Sequence, residues 1–212
     1  MEGTMDDTGG TNRLERRKAR TRAALVSAAQ VFIAQGRLNV PILEITQAAD
    51  VGMGSFYNHF SSREQLLQVA VGEVLDRLGG ALDELTADID DPAHVFAQSF
   101  RLVGRVHRRE PTASKVLLAE GLVYAGSDRG VAARARRDIE IGMRAGRFRV
   151  RDVELALVIV SGAALRLGQL LHEQTNRDDA AAVDQVTEDL LRMLGLGAEE
   201  AHDISRRALP EI

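Results

Sequence analysis

The chain has 212 residues, 45% hydrophobic and 27% charged, with a formal net charge of −4. These are the values of a globular chain of one domain or two small ones. The absence of cysteine excludes disulfides and cysteine-ligated zinc, and fits a reducing cytoplasm. With no Trp and few aromatics, the core must be built from Leu, Val, Ile and Ala. No signal peptide is visible, and the longest apolar run, residues 155–165, is too short to span a bilayer before Arg166 ends it. The expectation is a cytoplasmic protein without a membrane partner.

Residues 1–12, rich in Gly, Thr, Asp and Asn, read as a disordered arm. A first helix is expected over about residues 13–35. It opens with Arg13, Arg16, Arg17, Lys18, Arg20 and Arg22 against a single acid, Glu15. Such a run can be a solvated face, or it can neutralise phosphates. Leu25, Ala28, Ala29, Phe32 and Ile33 then form an apolar stripe, and Gly36 stops the helix.

Residues 41–60 read as two short helices around a tight turn. Over residues 42–49, Ile42, Ile45 and Ala49 share an apolar face. The turn, residues 50–54, contains Gly52 and Gly54, which permit the positive φ of a sharp corner. The second helix is expected over residues 55–60. Phe56 and Phe60 turn inward, leaving Ser55, Tyr57, Asn58 and His59 outward. All four can hydrogen-bond and none is a usual solvating Lys or Glu. A helix–turn–helix sets such a second helix in the DNA major groove, whereas a plain helical hairpin would merely present a polar face.

From Thr21 to about Leu67 the chain resembles the TetR family of transcriptional regulators. The resemblance is carried by Thr21, Ala28-Ala29, Phe32, Gly36, Glu44-Ile45, Ala48-Ala49, Val51, Gly54, Tyr57-Asn58-His59-Phe60, Ser62-Arg63-Glu64 and Leu66-Leu67. The chain departs from the family pattern at Pro41, Asp50 and Gly52-Met53. The resemblance implies DNA contacts from Thr21, Pro41, Gln47, Met53, Gly54, Ser55, Tyr57, Asn58, His59 and Arg63. It also implies a small-molecule effector pocket in the rest of the chain.

A fourth helix is capped by Ser61 or Ser62 and runs to about residue 85, with a bend expected near Gly79-Gly80. Further helices are expected over about residues 92–109, 111–125, 128–145, 153–174, 179–194 and 198–209, with no strand. Pocket candidates are larger or polar residues at otherwise apolar positions: Phe96, Phe100, His107, Glu120, Tyr124 and Met143. Small residues beside leucines in the eighth helix, with the ninth, suggest a homodimer interface at Gly162, Leu165, Leu167, Leu170, Leu190, Met193 and Leu194. Arg105, Arg108 and Arg109 read as favourable charges at a helix C-terminus.

Catalytic and metal patterns are missing. The histidines His59, His94, His107, His172 and His202 show no ligand spacing. Gly52-Met53-Gly54 lacks the third glycine and the preceding strand of a dinucleotide loop. No enzyme, metal or cofactor is expected. The sequence reading is an all-α protein: a disordered arm (1–12), a three-helix helix–turn–helix DNA-binding head (13–67) and a larger helical ligand-binding and dimerisation domain (68–212). It predicts a homodimeric repressor released from a double-stranded, palindromic DNA operator by a largely apolar effector. The alternative is a DNA-binding adaptor controlled by a protein partner.

Overall fold

The computed structural model describes residues 8–124 and 130–210, and the side chains of residues 13–119 and 130–210. The described residues form helices α1 (Thr8–Ala34), α2 (Ile42–Ala48), α3 (Met53–Tyr57), α4 (Arg63–Leu85), α5 (Pro92–Arg109), α6 (Pro111–Tyr124), α7 (Gly130–Arg144), α8 (Val153–Glu173), α9 (Asp179–Met193) and α10 (Ala198–Ser205), with no strand among them. Two compact units result, Met1–Val71 and Gly72–Ile212, with α4 beginning in the first and ending in the second.

The first unit is built on an aliphatic and phenylalanine core. Leu25, Ala29, Ile33, Ile45, Phe56, Phe60 and Leu66 are buried, so α1, α2, α3 and the start of α4 close on one another. Gly36 takes φ +73 and ends α1, with its N–H donating to the Ile33 carbonyl. Ser62 caps α4 by accepting from the Gln65 N–H at 3.1 Å, while the Gln65 side chain accepts from the Ser61 N–H at 2.6 Å. A Gln30 amide donates to the Ala70 carbonyl at 3.0 Å and ties α1 to α4.

Several local expectations change. α1 begins at Thr8, inside the expected arm, because extending an existing helix needs no new nucleus even through weak helix formers; residues 1–7 lie outside the described residues. The second motif helix is Met53–Tyr57, earlier than expected, so Asn58 and His59 follow it in a turn and Phe60 lies just beyond. The positive φ of the corner belongs to Asp50, at φ 53, and Gly52 has φ −68. Aspartate tolerates this region better than most side chains because its short polar group bonds locally. α4 continues through Gly79-Gly80 as one helix.

The second unit is organised on α5. Asp91 caps it by accepting from the Ala93 N–H, and Pro92 stands where no helical N–H is needed. Phe96, Ala97 and Phe100 pack in one core with Ile139, Phe148, Val160, Leu171, Val183 and Leu191. Arg105 is not a free end-charge. It is buried, and with Arg101 it clasps Asp184 of α9, each at 2.8 Å. α8 is long and apolar enough to cross a bilayer by length and composition, correcting the run that stopped at residue 165: one arginine does not offset the leucines beyond it. Here Ala156, Leu157, Val160, Leu167 and Leu171 of α8 face into the protein.

Candidate functional site

The outward face of the first unit gathers the residues singled out by the sequence. Phe56 and Phe60 are buried with ring centroids 5.9 Å apart, which fixes what α3 presents on its other side. Tyr57 is 62% exposed and Met53 45% exposed. Gly54, Asn58, Pro41 and Gln47 are exposed, while Ser55, His59, Thr21 and Arg63 are partly covered. Pro41 is the cap residue of α2, and Arg63 opens α4, where its guanidinium bonds Glu64 at 2.7 Å.

α1 adds cations to this face. The Arg22 guanidinium lies 5.7 Å over the Phe60 ring. Partial burial, then Lys18 and Arg22, hold the His59 pKa below its ordinary value. The ring is therefore neutral at pH 7 and can donate through one N–H. Lys18 and Arg22 were visible only as members of a basic run; their approach to His59 comes from the crossing of α1 with the turn after α3. An outward group of aromatic, amide and imidazole donors beside cations suits a phosphate backbone and its groove.

The second unit contains a cavity of about 110 Å³. Phe96, Phe100 and His107 line it, as the sequence proposed for a pocket. Met143 is absent from its wall and packs against the core instead. The side chains of Glu120 and Tyr124 lie outside the described residues. α4 contributes Leu75 and Leu82, and α8 contributes Val160, Ser161 and Leu165. The sequence reading missed Arg134 and Asp138 of α7, both in the wall. Asp138 is only 3% exposed, and its burial raises its pKa although Arg137 opposes the shift. A signal existed: Val131, Ala135, Asp138, Ile139 and Gly142 recur at helical spacing, so a carboxylate occupies an apolar stripe. Arg134 bonds Asp83 of α4 at 2.9 Å through Nε, and Arg137 reaches the other Asp83 oxygen at 3.1 Å. The Arg134 hydrogen bond is the leading reason that the Asp83 pKa falls.

Of the residues expected at a dimer interface, Leu167, Leu190 and Leu194 are buried in their own subunit. Leu165, Leu170 and Met193 are half-buried, and Gly162 is exposed. The apolar residues that α8 leaves to solvent are Leu155, Val158 and Ile159, at 64%, 67% and 50% exposure.

Residues 24–70 match the family model for bacterial regulatory proteins of the tetR family, and residues 91–207 match that of the tetracyclin repressor-like C-terminal domain. The chain belongs to the TetR family. It is a DNA-binding transcriptional regulator, with a helix–turn–helix domain followed by a larger helical domain. Its fold and sequence are similar to RolR, solved in complex with resorcinol: 34% identity, 93% of this chain, 99% of that one, TM-score 0.62. RolR without ligand gives 35% identity, 90% and 98% coverage, and a TM-score of 0.71. The transcriptional repressor Rv3405c of Mycobacterium tuberculosis is 28% identical over 81% of this chain and 82% of its own length. The regulator TcmR of Streptomyces glaucescens is 28% identical over 50% of this chain, and the match spans 48% of TcmR, about half its length.

Proposed function

We propose that this TetR-family chain is a homodimeric repressor, released from a palindromic operator by a small, largely apolar effector that carries a ring hydroxyl. The cavity carries this reading. Its volume, about 110 Å³, is of the order of the ~150 Å³ apolar cavity that accommodates benzene, so it suits a single ring. Its wall is mostly apolar, but buried Asp138 offers a carboxyl to a hydroxyl group. RolR binding resorcinol, a dihydroxybenzene, supports the same class of ligand. A controlling protein partner would leave the cavity without a purpose.

DNA recognition falls to the face around α3. Tyr57, His59, Arg63 and Thr21 hold phosphates, joined by Lys18 and Arg22. Gly54, Met53, Ser55 and Asn58 meet base edges, and Pro41 and Gln47 approach from α2. Dimerisation uses α8 and α9. The contact surface lies along Leu155, Val158, Ile159 and Gly162, which share one face of α8, because the buried leucines already serve their own subunit. Signalling runs along α4, which carries Leu75 and Leu82 in the cavity wall and Arg63 at its start. An effector shifts the protein only through unequal affinity for two conformations.

The test is fluorescence anisotropy on DNA flanking the protein's own gene, with and without resorcinol. The expected result is tight binding that resorcinol reverses in the native protein and fails to reverse in Asp138→Ala. Binding indifferent to resorcinol and to a panel of small phenols refutes the effector reading.

A further inference from the structure

At the His107 side of the cavity wall, two histidines share one serine. His107 lies in the last turn of α5, Ser114 in the first turn of α6 and His172 in the last turn of α8. His107 Nδ1 is 2.7 Å from Ser114 Oγ, and Ser114 Oγ is 2.7 Å from His172 Nε2. Ser114 is fully buried and His107 is 4% exposed, whereas His172 is half-buried. The arrangement is built for the His107 ring: a Cβ on Gly168 of α8 would come within 2.3 Å of His107 Cε1. His107 Nε2 has no hydrogen-bond partner among the described residues, yet among those residues no fully buried side-chain nitrogen or oxygen lacks one. Nε2 is therefore not sealed in the core, and the ring that carries it forms part of the cavity wall.

The chemistry of this chain of three groups has only two neutral forms. A serine hydroxyl carries one proton, so it donates to one imidazole and must accept from the other. In the first form His107 Nδ1–H donates to Ser114, and Ser114 donates to His172 Nε2. His107 Nε2 then shows a lone pair to the cavity. In the second form His172 Nε2–H donates to Ser114, and Ser114 donates to His107 Nδ1. His107 Nε2 then shows an N–H. When His172 takes up a proton, both its nitrogens are donors and only the second form survives.

We propose that His107 is a specificity-determining residue of the effector cavity, and that His172, through Ser114, sets whether it reads the ligand as acceptor or donor. This rests on the reading of the cavity as the effector site. At neutral pH the first form accepts a hydroxyl from a phenolic ligand. Protonating His172 replaces that acceptor with an N–H, for which a phenolic oxygen, its lone pair drawn into the ring, is a poorer partner than its O–H was for the lone pair, so hydroxyl-bearing effectors bind less well in acid. His107 itself stays neutral, since burial and the neighbouring His172 lower its pKa to about 4. Partial burial, then Lys115 of α6 and Arg108 of α5, lower that of His172. Glu173 adjoins His172 on α8, and among the described residues Arg134 and Asp138 of α7 are the other charged groups of the cavity wall.

The experiment has two arms on the full chain. Imidazole nitrogen NMR of the ligand-free protein follows the His107 tautomer from pH 8 to pH 5. Calorimetry follows resorcinol affinity over the same range in wild type, Ser114→Ala and His172→Gln. The expected result is loss of the His107 Nδ1–H form as His172 protonates. Resorcinol affinity should fall about tenfold in wild type, the worth of one hydrogen bond, and stay flat in both variants. His172→Gln covers the possibility that Ser114→Ala disturbs the core, because position 172 is half-buried. A His107 tautomer that never changes, or an affinity profile that survives both substitutions, overturns the proposal. A tautomer shift in a protein that binds no resorcinol at any pH upholds the relay and refutes only the phenol reading.

Discussion

Replacing Gly54 with alanine separates what the fold needs from what DNA needs. Gly54 is the second residue of α3, exposed, and not at a positive φ. A Cβ built on it meets nothing within 4 Å. In such a position glycine is the worse choice for the free protein, because it leaves the unfolded chain more freedom and favours the helix less than alanine. Gly54→Ala should therefore stabilise the protein by about 0.5 kcal/mol, the low end for a site in a first helical turn. For a chain of this size that raises the Tm by about 1–2 °C. DNA binding should move the other way. A methyl group at the start of α3 holds the helix off the groove floor and weakens one or two polar contacts, about 1–2 kcal/mol or roughly fivefold to thirtyfold in Kd. Thermal denaturation by circular dichroism and anisotropy on labelled operator read the two effects separately. A stabilised variant that binds DNA as well as wild type would show that the start of α3 never meets the groove, refuting the assignment of α3 as reader.

Three further outcomes are expected. Tyr57→Phe should weaken binding to all sequences by a similar factor, whereas Asn58→Ala should cost about 1–3 kcal/mol at one base pair per half-site; a binding selection on both variants distinguishes phosphate from base contact. Val158→Asp, at a residue 67% exposed in the subunit, should leave folding intact and give monomers in sedimentation, while an unchanged dimer would place the interface elsewhere. Acid should destabilise the native protein through His107. Its folded pKa of about 4 lies below the unfolded value of 6.5, so the unfolded chain binds the extra proton between them and stability falls as pH drops through that window. The limit is about 3 kcal/mol, and urea denaturation from pH 7 to pH 4 should show a shallower fall in His107→Gln.

What was legible in the sequence was local. The motif around α2 and α3 lies within twenty residues, and its caps, corner and aromatic face are decided by neighbours in the chain. Gly36 and Ser62 could be placed for that reason. Even there the corner turned on Asp50 rather than on either glycine, because φ at a bend depends on how the flanking helices are aimed, not only on which residue bends most easily. The second domain shows the reverse. Arg105 and Asp184 are 79 positions apart, and Ser114 and His172 are 58 apart, so neither pair could be read from spacing.

The same limit explains α8. Its sequence is apolar on almost every side, and periodicity alone cannot tell a stripe that meets its own core from one left for a second copy. Only the neighbours decide. Once other elements of the subunit cover Leu157, Val160, Leu167 and Leu171, the uncovered remainder is Leu155, Val158 and Ile159. An exposed apolar stripe of that kind is costly to leave in water, so the proposed pairing is tested on the residues the subunit does not use. A substitution at Leu167 or Leu194 would destroy the core and mimic monomer formation by unfolding. Substitution at Val158 tests the interface itself.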